Sequence, residues 1–225
     1  MSSKVSTLES IPAGAARVEG MLELPAKVQG IVLFAHGSGS SRHSKRNTYV
    51  ARVLQQRGIG TLLMALLTPE EDAYYPNRFD IPLLTHRLLA ATSWIKNDPR
   101  TSHLSIGYFG ASTGAAAALQ AAASYGDEIG AVVSRGGRPD IAGRSALENV
   151  KAPTLLIVGS FDDEVIALNK DAYSFMRCPK ELSIIPNATH LFTENGALEE
   201  VARQAAVWFE TYLKLELIEQ KFESQ

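Results

Sequence analysis

Between residues 104 and 123 the chain passes from a short apolar stretch, through Gly110-Ala111-Ser112-Thr113-Gly114, into a nearly unbroken alanine run. Leu104–Phe109 reads as a buried strand, and Thr113–Ala123 as a helix packed closely on a sheet. A serine in so tight a strand-to-helix turn is held in a strained conformation with its hydroxyl lifted clear of the backbone. The flanking glycines are needed because a Cβ would collide with the neighbouring strand and helix. As a bare pentapeptide, G-x-S-x-G occurs by chance. In a strand–turn–helix setting it carries real weight.

The rest of the chain repeats the alternation. Arg17–Leu24, Gly30–Ala35, Gly60–Leu66, Ile129–Ser134, Thr154–Val158 and Leu182–Ile185 read as strands. The middle ones are continuous apolar runs, as expected of parallel strands covered on both faces. Helical patterns lie between them at Asn47–Gln56, Ile81–Lys96, Val165–Phe175 and Leu198–Leu213; Leu84, Leu88, Ala91 and Ile95 share one face. The expectation is an α/β fold with a mainly parallel central sheet of about seven strands flanked by helices. With 225 residues, 45% of them hydrophobic, one domain over 1–225 is the natural reading, with 1–15 and 214–225 as flexible tails.

Composition excludes several classes. A net charge of -2 gives no general pull towards nucleic acid or an anionic membrane. No stretch has the length of a membrane span, and Met1–Ala16 lacks the apolar centre of a secretory signal. Cys178 is the one cysteine, which rules out intramolecular disulfides and cysteine-based metal sites. A soluble, cytoplasmic protein is expected.

Leu67–Asp80 resists regular assignment: it carries two prolines, four acids and three aromatics after a strand's carboxyl end. That is where α/β sheets bind ligands. Tyr74, Tyr75 and Phe79 either line a substrate pocket as a small lid or pin an ordinary long connection.

A serine hydroxyl becomes nucleophilic only when a base takes its proton and an acid orients that base. Thr154–Gly159 runs into Ser160-Phe161-Asp162-Asp163-Glu164, and Leu182–Ile185 is followed by Pro186-Asn187-Ala188-Thr189-His190. The chain order Ser, Asp, His suits this topology, with each residue at a successive strand end. Each also has an ordinary role available. Ser112 could cap its helix, Asp162 or Asp163 could cap the helix near Val165, and His190 could be a satisfied loop histidine. An oxyanion hole completes the set. The strand ending at Ala35 leads into His36-Gly37-Ser38-Gly39-Ser40-Ser41, and the expected donors are the amides of Ser38 (Gly39 as second choice) and Thr113. His36 is expected to buttress the loop by hydrogen bonding.

These residues, from Phe34-Ala35-His36-Gly37 to Ala188-Thr189-His190-Leu191-Phe192, resemble the α/β-hydrolase fold and within it the small dienelactone-hydrolase-related group. The resemblance implies Ser112 as nucleophile, His190 as base and Asp162 as acid, with Asp163 as runner-up. Dienelactone hydrolases proper use cysteine where this chain has Ser112, so their lactone substrate is not carried over. The chain has no obvious large inserted cap, which implies an open site and a small ester.

Arg42, Arg135 and Arg138 leave strand carboxyl ends and could pair with a carboxylate or phosphate on a substrate. Alternatively Arg135 or Arg138 ties loops together through Asp140 or backbone carbonyls, the commoner use of arginine in glycine-rich loops. With Gly37 and Gly39, these arginines and the two tyrosines are the candidate substrate contacts. The expected activity is that of a serine esterase needing no metal or organic cofactor, with a small-molecule ester as partner and neither nucleic acid nor membrane. Thioesterase, lactonase, amidase or acyltransferase chemistry uses the same parts. A catalytically silent binding protein on the same fold is the rival. Phosphate-ligand binding by the 36–41 loop is disfavoured, since the loop lacks the G-K-[ST] ending of a P-loop.

Overall fold

A computed structural model describes residues 4–213 of the protein. The chain begins with β1 (Val5–Ala13), β2 (Ala16–Leu24) and β3 (Gly30–Ala35), then α1 (Lys45–Gln56), β4 (Ile59–Met64), α2 (Pro69–Ala73) and α3 (Ile81–Asn97). It continues through β5 (Ser105–Ala111), α4 (Thr113–Tyr125), β6 (Ile129–Arg135), α5 (Arg144–Asn149), β7 (Thr154–Gly159), α6 (Asp163–Phe175), β8 (Lys180–Ile185) and α7 (Ala197–Tyr212). The eight strands form one sheet in the order β1-β2-β4-β3-β5-β6-β7-β8. β1 and β2 form an antiparallel hairpin joined antiparallel to β4, and the remaining neighbours are parallel.

Strand alternation sorts side chains onto two cores. Ile31, Leu33 and Ala35 of β3 join α3 and α4 on one face, while Val32 and Phe34 join α1 and α7 on the other. β3 is therefore free of polar side chains along its whole length, as its unbroken run predicts. α4 lies flat against the sheet, with Ala115–Ala118 fully buried. A Cβ on Gly110 would stand 2.4 Å from the Ala115 Cα, so only glycine facing alanine permits this contact.

One expectation is corrected. Residues 1–15, read as a tail, contain β1, which pairs with β2 along its whole length. As an edge strand it is half exposed, and only Ile11 and Ala13 are completely buried, so its apolar signal is weak. Pro12 within it is tolerated because an edge strand leaves one row of hydrogen bonds unmade. The other expected tail, 214–225, lies outside the described residues.

The 67–80 segment is more ordered than its composition suggests. α2 opens with a capping box: Thr68 Oγ1 accepts from the Glu71 amide at 3.2 Å and Glu71 Oε2 accepts from the Thr68 amide at 3.0 Å. A 3-10 turn follows over Tyr75–Phe79, and Asp80 caps α3 through the Leu83 amide. Ion pairs Arg78–Asp72 and Arg87–Glu71 fasten the segment. Among the described residues no helix is long and apolar enough to cross a membrane.

Candidate active site

Ser112 lies between β5 and α4 with φ 51° and ψ -124°, a left-handed-side backbone that non-glycine residues avoid. Hydrogen bonds on both sides hold it there. Its amide donates to the Arg135 carbonyl at 3.3 Å, and its carbonyl accepts from the Ala115 and Arg138 amides at 3.0 and 3.1 Å. It occupies the N-cap position, yet its side chain makes no capping hydrogen bond. The capping role is therefore not what the hydroxyl does.

The 36–41 loop docks directly on this elbow. A Cβ on Gly37 would fall 2.8 Å from the Ser112 Cβ, and one on Gly114 would fall 2.2 Å from the Ala35 carbonyl oxygen. Gly37 therefore serves close packing. His36 fastens the loop from beneath: Nδ1 donates to the Gly37 carbonyl at 3.0 Å, while Nε2 accepts from the Leu66 amide at 3.0 Å. That bonding requires a neutral ring. Burial pushes the His36 pKa below its usual value, outweighing the opposing pull of the Gly37 carbonyl and the Asp72 charge. The buttressing role expected for His36 matches this geometry.

Ser38, expected to offer its amide to an oxyanion, instead donates it to Thr113 Oγ1 at 3.1 Å. The Thr113 amide is in the first turn of α4, where a helix provides no carbonyl four residues back. Gly39, the second choice, sits at φ 67°.

Asp162 and His190 meet across adjacent loops, with His190 Nδ1 2.7 Å from Asp162 Oδ2. Asp162 stands at the N-cap of α6 without capping it through its side chain, and exposed Asp163 begins the helix. The two loops are stitched together by the Ser160 amide to Ile185 O, the Phe161 amide to Ala188 O, and the Asn187 amide to Ser160 Oγ. Among the described residues no hydrogen bond joins Ser112 Oγ to His190. Gly136 lies between their segments: at φ 49°, a Cβ there would come within 3.5 Å of His190 Cε1.

Sequence reasoning missed the residues that shape the histidine loop. Glu194 accepts from the Thr189 amide at 3.1 Å and from its hydroxyl at 2.6 Å, and Phe192, buried with φ 54°, anchors the turn. A Thr–Glu clasp five residues apart has no periodic signature, so little in the chain announced it.

The basic residues divide. Arg42 pairs with Glu19 at 2.9 Å and Arg138 with Asp140 at 2.7 Å. Of the two arginines expected as alternatives for a tie to Asp140, Arg138 makes it, and Arg135 has no ion pair among the described residues. Tyr74 and Tyr75 are each 64% exposed, and a cavity of about 500 Å³ beside α2, lined by Glu19, His36, Arg42 and Leu67, touches none of Ser112, Asp162 or His190. No cluster of three or more His, Cys, Asp or Glu suited to a metal ion occurs among the described residues.

The model of the dienelactone hydrolase family matches residues 27–215. A crystal structure of a dienelactone hydrolase from Anabaena variabilis superposes with a TM-score of 0.91 at 54% identity, covering 94% of this chain and 99% of that one. Est1E from Butyrivibrio proteoclasticus superposes with a TM-score of 0.77 at 16% identity, over 91% of this chain and 98% of that one, a likeness of fold alone. A Mycobacterium tuberculosis protein described as "Putative phosphoribosyl transferase" is 55% identical over 203 residues, 90% of this chain. That match covers 46% of the relative, so the chain spans about half the length of the curated relatives it matches.

Proposed function

Because this chain belongs to the dienelactone hydrolase family, we propose that it is a serine hydrolase of small carboxylic esters. The observation that carries this reading is the 2.7 Å His190–Asp162 contact at the same carboxyl end of the sheet as a strained serine whose hydroxyl caps nothing.

The mechanism uses each part for one task. Asp162 accepts the Nδ1 hydrogen of His190 and thereby leaves Nε2 as the basic nitrogen. His190 takes the Ser112 proton as Oγ attacks the ester carbonyl, and Asp162 stabilises the imidazolium that forms. The oxyanion draws the Thr113 amide and the Ser38 amide, the latter exchanging Thr113 Oγ1 for the more strongly accepting charged oxygen. His190 then protonates the departing alkoxide and activates the water that releases the acid. The same steps act on thioesters and lactones. Phosphoribosyl transfer, the description given to relatives of which this chain covers less than half, gains nothing from this constellation.

Labelling with a fluorophosphonate probe and peptide mapping tests the reading. Stoichiometric adduct on Ser112, lost in His190→Ala, is expected. A folded protein that takes no adduct would instead favour a silent binding protein.

A further inference from the structure

The inward face of α6 is apolar at Val165 and Ala172, and Asn169 stands between them on the same stripe. It is completely buried, and its Oδ1 has no hydrogen-bond partner among the described residues. An aliphatic residue would fill this position without stranding an acceptor, and would suit a helix interior better. The amide nitrogen explains the choice. Nδ2 donates one hydrogen to the Val165 carbonyl at 2.8 Å, one turn back in the helix, and the other to the Gly137 carbonyl at 3.0 Å. Both partners are carbonyl oxygens, so the amide stands only this way round.

The bond to Val165 is local. The bond to Gly137 crosses to the turn Arg135-Gly136-Gly137-Arg138, which meets the segments of both Ser112 and His190. The Ser112 amide donates to the Arg135 carbonyl at 3.3 Å, and the Ser112 carbonyl accepts from the Arg138 amide at 3.1 Å. A Cβ on Gly136 would stand 3.2 Å from the His190 carbonyl oxygen. One on Gly137 would collide with Ser134 Oγ and come 2.6 Å from Ala115 Cβ, so the turn is pressed against β6 and α4 on that side. On its other side it is tied to α6, the helix that starts directly after Asp162. Since no hydrogen bond among the described residues joins Ser112 Oγ to His190, the backbone of this turn sets how nucleophile and base approach.

We propose that Asn169 is a positioning residue for the reaction: by tying the Gly137 carbonyl to α6, it sets where Ser112 stands relative to His190. The tie is a feature of the fold; its effect on turnover rests on the hydrolase reading. A misplacement of about 1 Å at the reacting atoms costs on the order of 100-fold in rate, so one hydrogen bond behind the site matters.

Two variants separate the tie from the fold. In Asn169→Thr the hydroxyl still reaches the Val165 carbonyl four residues back, but it sits one bond nearer the backbone than Nδ2 and no longer spans to Gly137. Asn169→Leu loses both bonds and completes the apolar stripe, which favours folding. Hydrogen exchange at the Arg138 amide reads the turn. The rate of fluorophosphonate labelling, with kcat and KM on p-nitrophenyl acetate, reads Ser112. In both variants the Arg138 amide should exchange roughly 10-fold faster or more. Labelling and kcat should fall by about 30- to 100-fold, with KM held within about a factor of three. A residue that only supports the fold would lower the urea midpoint and leave kcat of the folded enzyme at the wild-type value. Wild-type exchange in Asn169→Thr would overturn the tie, and fast exchange with wild-type kcat would overturn the positioning role. A wild-type protein that takes no Ser112 adduct would sink the hydrolase reading, and exchange at Arg138 would then decide the tie by itself.

Discussion

At the residue scale, the two aspartates that follow β7 have separate tasks. Asp162 accepts from His190, whereas Asp163 sits exposed in the first turn of α6, where its charge favours the helix dipole. Asp162→Asn should lower kcat on an activated ester by about 10⁴-fold, because the amide favours the wrong imidazole tautomer. Asp163→Asn should change it by less than a factor of about three, in keeping with an exposed substitution. Steady-state rates on one aryl ester separate the two. His36 adds a pH dependence with a definite sign. Its folded pKa is depressed below the ordinary 6.5, so the neutral ring stabilises the fold above that pH. That contribution is lost as pH falls from 6.5 towards the lowered folded value. Urea midpoints measured from pH 7.5 downwards should decline through this window, and His36→Gln should flatten the decline.

At the scale of elements, the elbow depends on missing side chains. Gly114→Ala would bring a methyl group to 2.2 Å from the Ala35 carbonyl oxygen, which is strand backbone and cannot turn aside. A cost of about 3 kcal/mol or more is expected in chemical denaturation, at the upper end of overpacking effects. The histidine loop depends instead on a side-chain clasp. Glu194→Gln weakens the pair of bonds to Thr189, and the expected result is a lower kcat with little change in global stability, since the clasp is exposed. Some of this was legible beforehand. Thr68-Pro69-Glu70-Glu71 has the capping-box spacing and marks the start of α2, yet its proline-rich surroundings read as irregular. Which of Arg135 and Arg138 ties to Asp140 was left open by the sequence, and it is Arg138. The run Arg135-Gly136-Gly137-Arg138 has no periodicity to tell which guanidinium turns back to the aspartate and which is buried in the core.

At the scale of the molecule, the sheet works as a platform whose parallel strand ends gather Ser112, Asp162 and His190 from positions up to 78 residues apart in sequence, the span from 112 to 190. The amino-terminal hairpin extends that platform and seals its core with Ile11, Val18 and Leu22. Ile11→Ala should therefore cost about 2–5 kcal/mol, as at any fully buried site. A urea midpoint within error of the wild type would show β1 to be dispensable. The sequence alone determined the alternation of strands and helices, the tight turn at Ser112 and the order of the three triad candidates. These follow from periodicity and glycine placement, which act between residues close in the chain. The tertiary structure decided which aspartate meets His190, that β1 joins the sheet edge, and that Arg135 is buried with no hydrogen-bond partner for its Nε among the described residues. Those outcomes depend on distances between segments far apart in sequence, where packing of the two cores, and no local pattern, sets what each charge finds beside it.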